Sequence, residues 1–473
     1  MKVLLNRRDA ETPRQLPNPW PPSPRFSRGA LGLCGVIVVA ICAHAQDTRT
    51  VTEPVIPPTC TSLTAHFGAK LSDADESTPD TQRLQDALDH CPAGQAIELK
   101  SAGNAVAFLS GPLQLRAGVT LLVDANTILY GSRNPSDYDL TPGSCGVVDK
   151  NGHGCKPLIA ADHASSAAVM GDGVIDGRGG AHLAGQKVSW WDLAQEAKVK
   201  NENQNCPRII VASHADNFTL YRITLKNSPN FHVTFSGNGF TAWGVIIDAP
   251  KTARNTDGID PGNATNVTIT HCYIHAGDDN VAIKAGRPGP TGHMTISHNH
   301  FYTGHGMSIG SETDGGASDI LVTDLSIDGA DNGIRIKSNS SRGGLVHDVL
   351  YEDVCIRDTK NPVLMDTNYS YYGAARDRYP VFTGIVLRNV RVLSSGKITL
   401  DGLDTTHRLG ITFDNMHLDT PVATTISAQH ADIVLGPGPV NFRPAGEDVK
   451  LTSAAGKGSP NACKDKFVPF PVQ

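Results

Sequence analysis

Six residues in the middle of the chain have types and spacing that could do chemistry together: Asp257, Asp278, Asp279, His305, Arg335 and Lys337. Two carboxylates one strand apart can jointly hold and activate a water. A third carboxylate among like charges has a raised pKa and can stay protonated. That set suits inverting glycoside hydrolysis, with an acid on one side of the bond and a base-held water on the other. Arg335 and Lys337 would grip an anionic sugar, the arginine taking a carboxylate bidentately. Alone, each of these residues reads as a turn cap, a satisfied histidine or a solvated charge. Only their convergence on one patch argues for a site. Clustered carboxylates also bind calcium, but the adjacent histidine, arginine and lysine argue against it.

The convergence follows from repeats. Strand-like segments begin at Val267, Met294, Ile320, Val349, Ile385 and Ile411, at offsets of 27, 26, 29, 36 and 26 residues, and Phe218 opens an earlier one. A second strand follows each by ten to fifteen residues. Such a period without helical patterning between the strands predicts an all-β solenoid, a single-stranded right-handed parallel β-helix. Aligning the second strands puts Val281, Met307, Ile334 and Val363 in one inward column, and Ile283, Ile309, Ile336 and Met365 in the next. Alternation then sends Arg335 and Lys337 outward. Asp257, Asp279 and His305 each precede their column residue by two, so they stack on successive turns about 4.8 Å apart. An inward Asp-Asp-His stack in an apolar core would be very costly. Gly258, Asn280 and Gly306 are therefore expected to bend the chain and turn the stack outward, with Gly277 helping Asp278 to join it.

The rest of the chain fits one domain. With 19% charged residues and 6% aromatics it is neither coiled coil nor disordered, and Gly at 47 of 473 residues suits many tight turns. One helix is expected near the start, capped by Thr78, with Pro79 in its first turn and Leu84 and Leu88 on one face as far as Cys91. It would close the open end of the solenoid. The tail from Gly436 lacks strong pattern, and no second domain is evident. Residues 1–45 read as a secretory signal peptide: Arg25 and Arg28, the apolar run Gly35–Ile41, then Ala43-His44-Ala45 before a cut at Gln46. The run is short for a membrane anchor. Without that leader the formal charge goes from −6 to −10, since Lys2 and five arginines leave with Asp9 and Glu11. Bulk charge therefore argues against nucleic acid as a partner, and an anionic substrate would need a local cationic site. Eight cysteines remain. Cys145 and Cys155 bracket a Gly-rich loop and read as a local disulfide, and Cys60 and Cys91 flank the helix. Cys272 and Cys355, in strand-like runs, read as buried free thiols. Cys206 and Cys463 receive no assignment.

Four runs resemble the signature motifs of the polygalacturonases, glycoside hydrolase family 28: Asn255-Thr256-Asp257, Gly277-Asp278-Asp279, Gly304-His305-Gly306 and Arg335-Ile336-Lys337. Asn227 to His232 is a further family-like run. The similarity is greatest to secreted, endo-acting bacterial members and spans the chain from about Cys60 to the last turns. The resemblance implies hydrolysis of α-1,4-galacturonan with inversion and without metal or other cofactor. It implies that Asp278 is the general acid, that Asp257 and Asp279 activate the water, and that His305 tunes the acid. It further implies that Arg335, Lys337 and Tyr369 bind the sugar. An extracellular monomer acting on pectin or polygalacturonate is expected. The competing readings are exo-polygalacturonase, rhamnogalacturonan hydrolase, a calcium-dependent pectate lyase and a non-catalytic β-helix adhesin.

Overall fold

A computed structural model describes residues 46–370, 377–454, 456, 458–459 and 461–471. The expected leader lies outside the described residues. The chain divides into two units, and every described residue belongs to the second, Cys42–Gln473.

Among the described residues, thirty strands wind into one sheet whose ladders are parallel. It is a right-handed parallel β-helix. The repeat offsets hold residue by residue: Val267 pairs with Met294, Met294 with Ile320, Ile320 with Val349, Val349 with Ile385 and Ile385 with Ile411. Each of these side chains is buried, so every turn contributes to one continuous apolar core. The Asn and Asp content has a local cause. Most non-glycine residues at positive φ are Asn, Asp or His, some between strands and others, such as Asn266, His298 and Asp324, at bends within long strands.

Helix α1 (Thr81–His90) buries Leu84 and Leu88 in the first turns, as expected. Its cap is not Thr78. Asp80 occupies that position, because its backbone N–H donates to Leu109 O at 2.7 Å and ties the chain to a strand before the helix can begin. A second helix, α2 (Trp190–Lys200), was not expected. Its signals are nonetheless in the sequence. Ser189 and Asp192 form a reciprocal capping box, and Trp190, Leu193, Ala194 and Ala197 follow a helical stripe into the core.

Disulfides join Cys60 to Cys91 and Cys145 to Cys155, while Cys206 and Cys272 are buried free thiols. Cys355 corrects the sequence expectation: it is bonded to Cys463, 108 residues later. The tail makes that possible. It adds a strand, Gly446–Ser453, and then runs back along the earlier turns, where Tyr302 donates to Val468 O at 2.9 Å and Arg357 lies 4.3 Å over Phe467. Strand patterning around Cys355 shows burial but cannot show which distant segment folds onto it.

Candidate active site

The site grows from the second-strand column. Strands β1 (Ile210–Ala212), β2 (Val233–Trp243), β3 (Ile259–Thr270), β4 (Val281–Ile283), β5 (Met307–Gly310), β6 (Asn332–Lys337) and β7 (Asn361–Asp366) lie on successive turns. Ile259 pairs with Val281, Val281 with Met307, Met307 with Ile334 and Ile334 with Val363. Asp257, Asp279 and His305 therefore occupy equivalent positions just before three neighbouring strands. The expected bends are tight. A Cβ on Gly277 would stand 2.0 Å from Ala253 O, and one on Gly306, at φ +76°, 2.2 Å from the carbonyls of Asn332 and Gly333. Only glycine lets the chain lie this close to the neighbouring turns while aiming the acids away from the core.

Asp279 is the centre of the charge network. Its carboxylate accepts from Ser308 Oγ at 2.8 Å, Arg335 Nη1 at 3.1 Å and Lys337 Nζ at 2.7 Å. Burial would raise its pKa, but Lys337, Arg335 and Lys284 outweigh burial and hold it well below the ordinary value. Arg335 and Lys337 point away from the core as expected, flanked by core residues Ile334 and Ile336. Both are 5% exposed or less, covered by the network itself. Tyr369 lies beneath them, its ring 5.1 Å from the Arg335 guanidinium and 5.2 Å from Lys337 Nζ. Asn339 fixes that tyrosine by donating to its carbonyl at 2.7 Å.

Asp278 pairs with His305, with Nδ1 2.9 Å from Oδ1, and also accepts the Asp279 N–H at 2.9 Å. His305 Nε2 faces Asp331 at 4.0 Å. Burial raises the Asp278 pKa, but the His305 hydrogen bond together with the charges of His305 and Lys337 outweighs it, so Asp278 sits below its ordinary value in the free protein. The raised carboxylate is a different one. Asp257, 3% exposed, is pushed well above its ordinary value by burial, then by the charges of Asp278 and Asp260, with Lys284 opposing. Raised proton affinity is thus present in the stack, but at Asp257 and not at Asp278.

Three residues of this network were not picked out from the sequence: Asp260, Lys284 and Ser308. Burial brings the Asp260 pKa up to about 7. Lys284 Nζ stands between the buried pair, 3.8 Å from Asp257 Oδ2 and 3.9 Å from Asp260 Oδ2. Among the described residues, Asp257 Oδ1 and both Asp260 oxygens have no hydrogen-bond partner. The same alternation that sends Arg335 and Lys337 outward also sends out Asp260, Lys284 and Ser308, which was the available signal. One atom each of Asp278, Asp279 and His305 lies within 4.8 Å of the others, a grouping that could take a cation. The place beside Asp279 is already filled by Lys337 and Arg335. A groove of about 630 Å³ adjoins the stack, with Arg208, Phe231, Asn255 and Glu312 among its walls.

Set beside known proteins, the chain is similar to an endo-polygalacturonase of Pectobacterium carotovorum subsp. carotovorum. The two are 45% identical over 392 residues, 82% of this chain and 93% of the relative. A polygalacturonase of Ralstonia solanacearum is 38% identical over 90% of this chain and 95% of its own. The solved structure of polygalacturonase from Erwinia carotovora ssp. carotovora superposes with a TM-score of 0.72 at 40% identity, covering 88% of this chain and 99% of that one. The sequence model of glycosyl hydrolases family 28 matches residues 104–433, through every turn that carries the stacked acids, and the chain belongs to that family.

Proposed function

We propose that this chain is an endo-acting polygalacturonase that hydrolyses α-1,4-galacturonosyl bonds in polygalacturonate or pectin with inversion. The observation that carries the proposal is the junction of three stacked carboxylates with a buried Arg335–Lys337 pair over Tyr369. Hydrolysis of a polyanion needs both in one place, acids for the bond and cations for the sugar carboxylate.

In this reading a galacturonate carboxylate binds at Arg335 and Lys337 and shares the positive charge that Asp279 holds in the free protein. A new anion in a water-poor site raises the proton affinity of the carboxylates around it. Asp278, hydrogen-bonded to His305, then carries the proton that goes to the leaving glycosidic oxygen. Asp257 and Asp279 orient the water, Asp279, which stays ionised, takes its proton, and Lys284 steadies Asp257 from behind. The scheme includes no metal ion, because Lys337 and Arg335 supply the positive charge beside Asp279. The open groove next to the stack supports binding within a long chain. The signal-peptide pattern expected over residues 1–45 and, among the described residues, three disulfides support export to an oxidising compartment outside the cell, where the protein acts as a monomer.

The test is a product profile on polygalacturonate at early conversion. Saturated oligomers of mixed length are expected. Monomer alone would make the enzyme exo-acting. Unsaturated, ultraviolet-absorbing ends that vanish with a chelator would make it a lyase.

A further inference from the structure

The groove beside the stack holds a cation that the proposed hydrolysis does not use. Arg208, Phe231 and Asp257 each stand two residues before Ile210, Val233 and Ile259, and those three residues pair in sequence across β1, β2 and β3. The same column therefore continues for two more turns, through Phe231 to Arg208, which lies about 10 Å along the axis from Asp257. Its guanidinium rests 4.8 Å over the Phe231 ring, while Lys284 Nζ stands 5.9 Å from the same ring. Phe231 thus lies between Arg208 and Lys284, while the charges of Asp260 and Asp257 still reach Arg208.

The surroundings of Arg208 differ from those of the neighbouring arginines. Arg335 is paired with Asp279, Arg342 with Glu312 at 2.7 Å, and Arg254 donates to Ala194 O at 2.9 Å. Among the described residues, no hydrogen bond or ion pair engages the Arg208 guanidinium, although the side chain is largely covered. A partly exposed guanidinium that no acidic side chain pairs keeps its planar fork available for a carboxylate. Asn230 and Asn255, in the same groove wall, add amide hydrogen-bonding capacity.

We propose that Arg208, shelved on Phe231, is a second carboxylate-binding site, for a galacturonate of the same chain five turns, about 24 Å along the axis, from the sugar held at Arg335 and Lys337. The inference rests on the polygalacturonase reading and extends it. A substrate long enough to reach both cationic sites is gripped at two points, and a very short one at a single point.

The test measures binding of hexagalacturonate and digalacturonate by calorimetry in an Asp278→Asn background, which keeps the ligands intact. Hydrolysis kinetics on the same oligomers are measured with Asp278 restored. Arg208→Gln should weaken hexagalacturonate binding tenfold or more, about the value of a charged bidentate contact, and digalacturonate binding much less. KM on hexagalacturonate should rise more than kcat falls. Arg208→Lys, which keeps the charge but loses the fork, should recover part of the affinity and also guards against a folding defect in the first variant. Methyl-esterified hexagalacturonate should lose the Arg208 dependence. Equal losses on both lengths, a fall in kcat with KM held, or no loss at all would overturn the proposal. Failure of the Asp278→Asn parent to bind either oligomer would overturn the polygalacturonase reading itself, and would be seen before any Arg208 variant is made.

Discussion

Asp279 and Asp260 are both buried carboxylates, yet they are driven in opposite directions. Asp279 touches two cations and a hydroxyl and stays ionised; Asp260, with no hydrogen-bond partner among the described residues and Lys284 no nearer than 3.9 Å, has a pKa that rises to about 7. The second case gives a pH prediction with a definite sign. Unfolded, Asp260 loses its proton near pH 4. Between there and pH 7 the folded protein keeps a proton that the unfolded chain has released. The contribution of this group to stability is therefore fullest below pH 4 and is lost as pH rises through about 7. Asp260→Asn abolishes that loss. Relative to wild type, the variant should gain about 3 kcal/mol between pH 5 and pH 8 in urea unfolding. A difference that does not change with pH would show that Asp260 does not titrate there on folding. At this scale the sequence was informative where identity and register suffice, as for Asp257, Asp278, Asp279, His305, Arg335 and Lys337. It was silent on which acid holds a proton. That depends on His305 reaching Asp278 and on Lys284 standing back from Asp257, which are distances and not letters.

The elements divide along a physical line. Strand registers were legible because a buried parallel strand repeats its apolar residues at a period fixed by the turn, and one slip would move the whole set to the wrong face. Helix α2 was missed because strand patterning dominates the chain around it, although Ser189 and Asp192 carry the capping signal. That helix matters beyond its own turns, since Ala197 and Lys198 at its far end wall the groove. Ser189→Ala breaks the capping box and should cost about 1 kcal/mol, measured as a lower urea midpoint with an unchanged slope. An unchanged midpoint would mean that the helix is held by Trp190 and Leu193 packing alone.

A solenoid lets a chain of this length form one core, because each turn packs only on its neighbours. The ends then depend on local devices. At the start these are α1 and Cys60–Cys91; at the finish the tail folds back and is tied by Cys355–Cys463. That bond closes a loop of 108 residues, so it constrains the unfolded chain strongly. Cys463→Ser should lower stability by about 2–5 kcal/mol and open the tail, which packs on the turns of the acid stack through His275 and Tyr302, to limited proteolysis. An identical melting temperature and digestion pattern would show that the tail is held by its contacts alone. The sequence concealed this pairing because long-range closure leaves no periodic trace. At the same scale, a formal charge of −6 makes the buried Arg335–Lys337 pair and Arg208 more telling as the points where a polyanion can be held.

The most direct test of acid catalysis by the stack is the turnover of polygalacturonate by Asp278→Asn, measured as new reducing ends per unit time alongside circular dichroism and a thermal melt. The substitution keeps the shape of the side chain and its contact with His305 but removes the transferable proton. A fall in kcat of about a thousandfold or more is expected, in a protein with the wild-type spectrum. A folded Asp278→Asn protein that kept most of its activity would contradict the assignment of Asp278 as the acid.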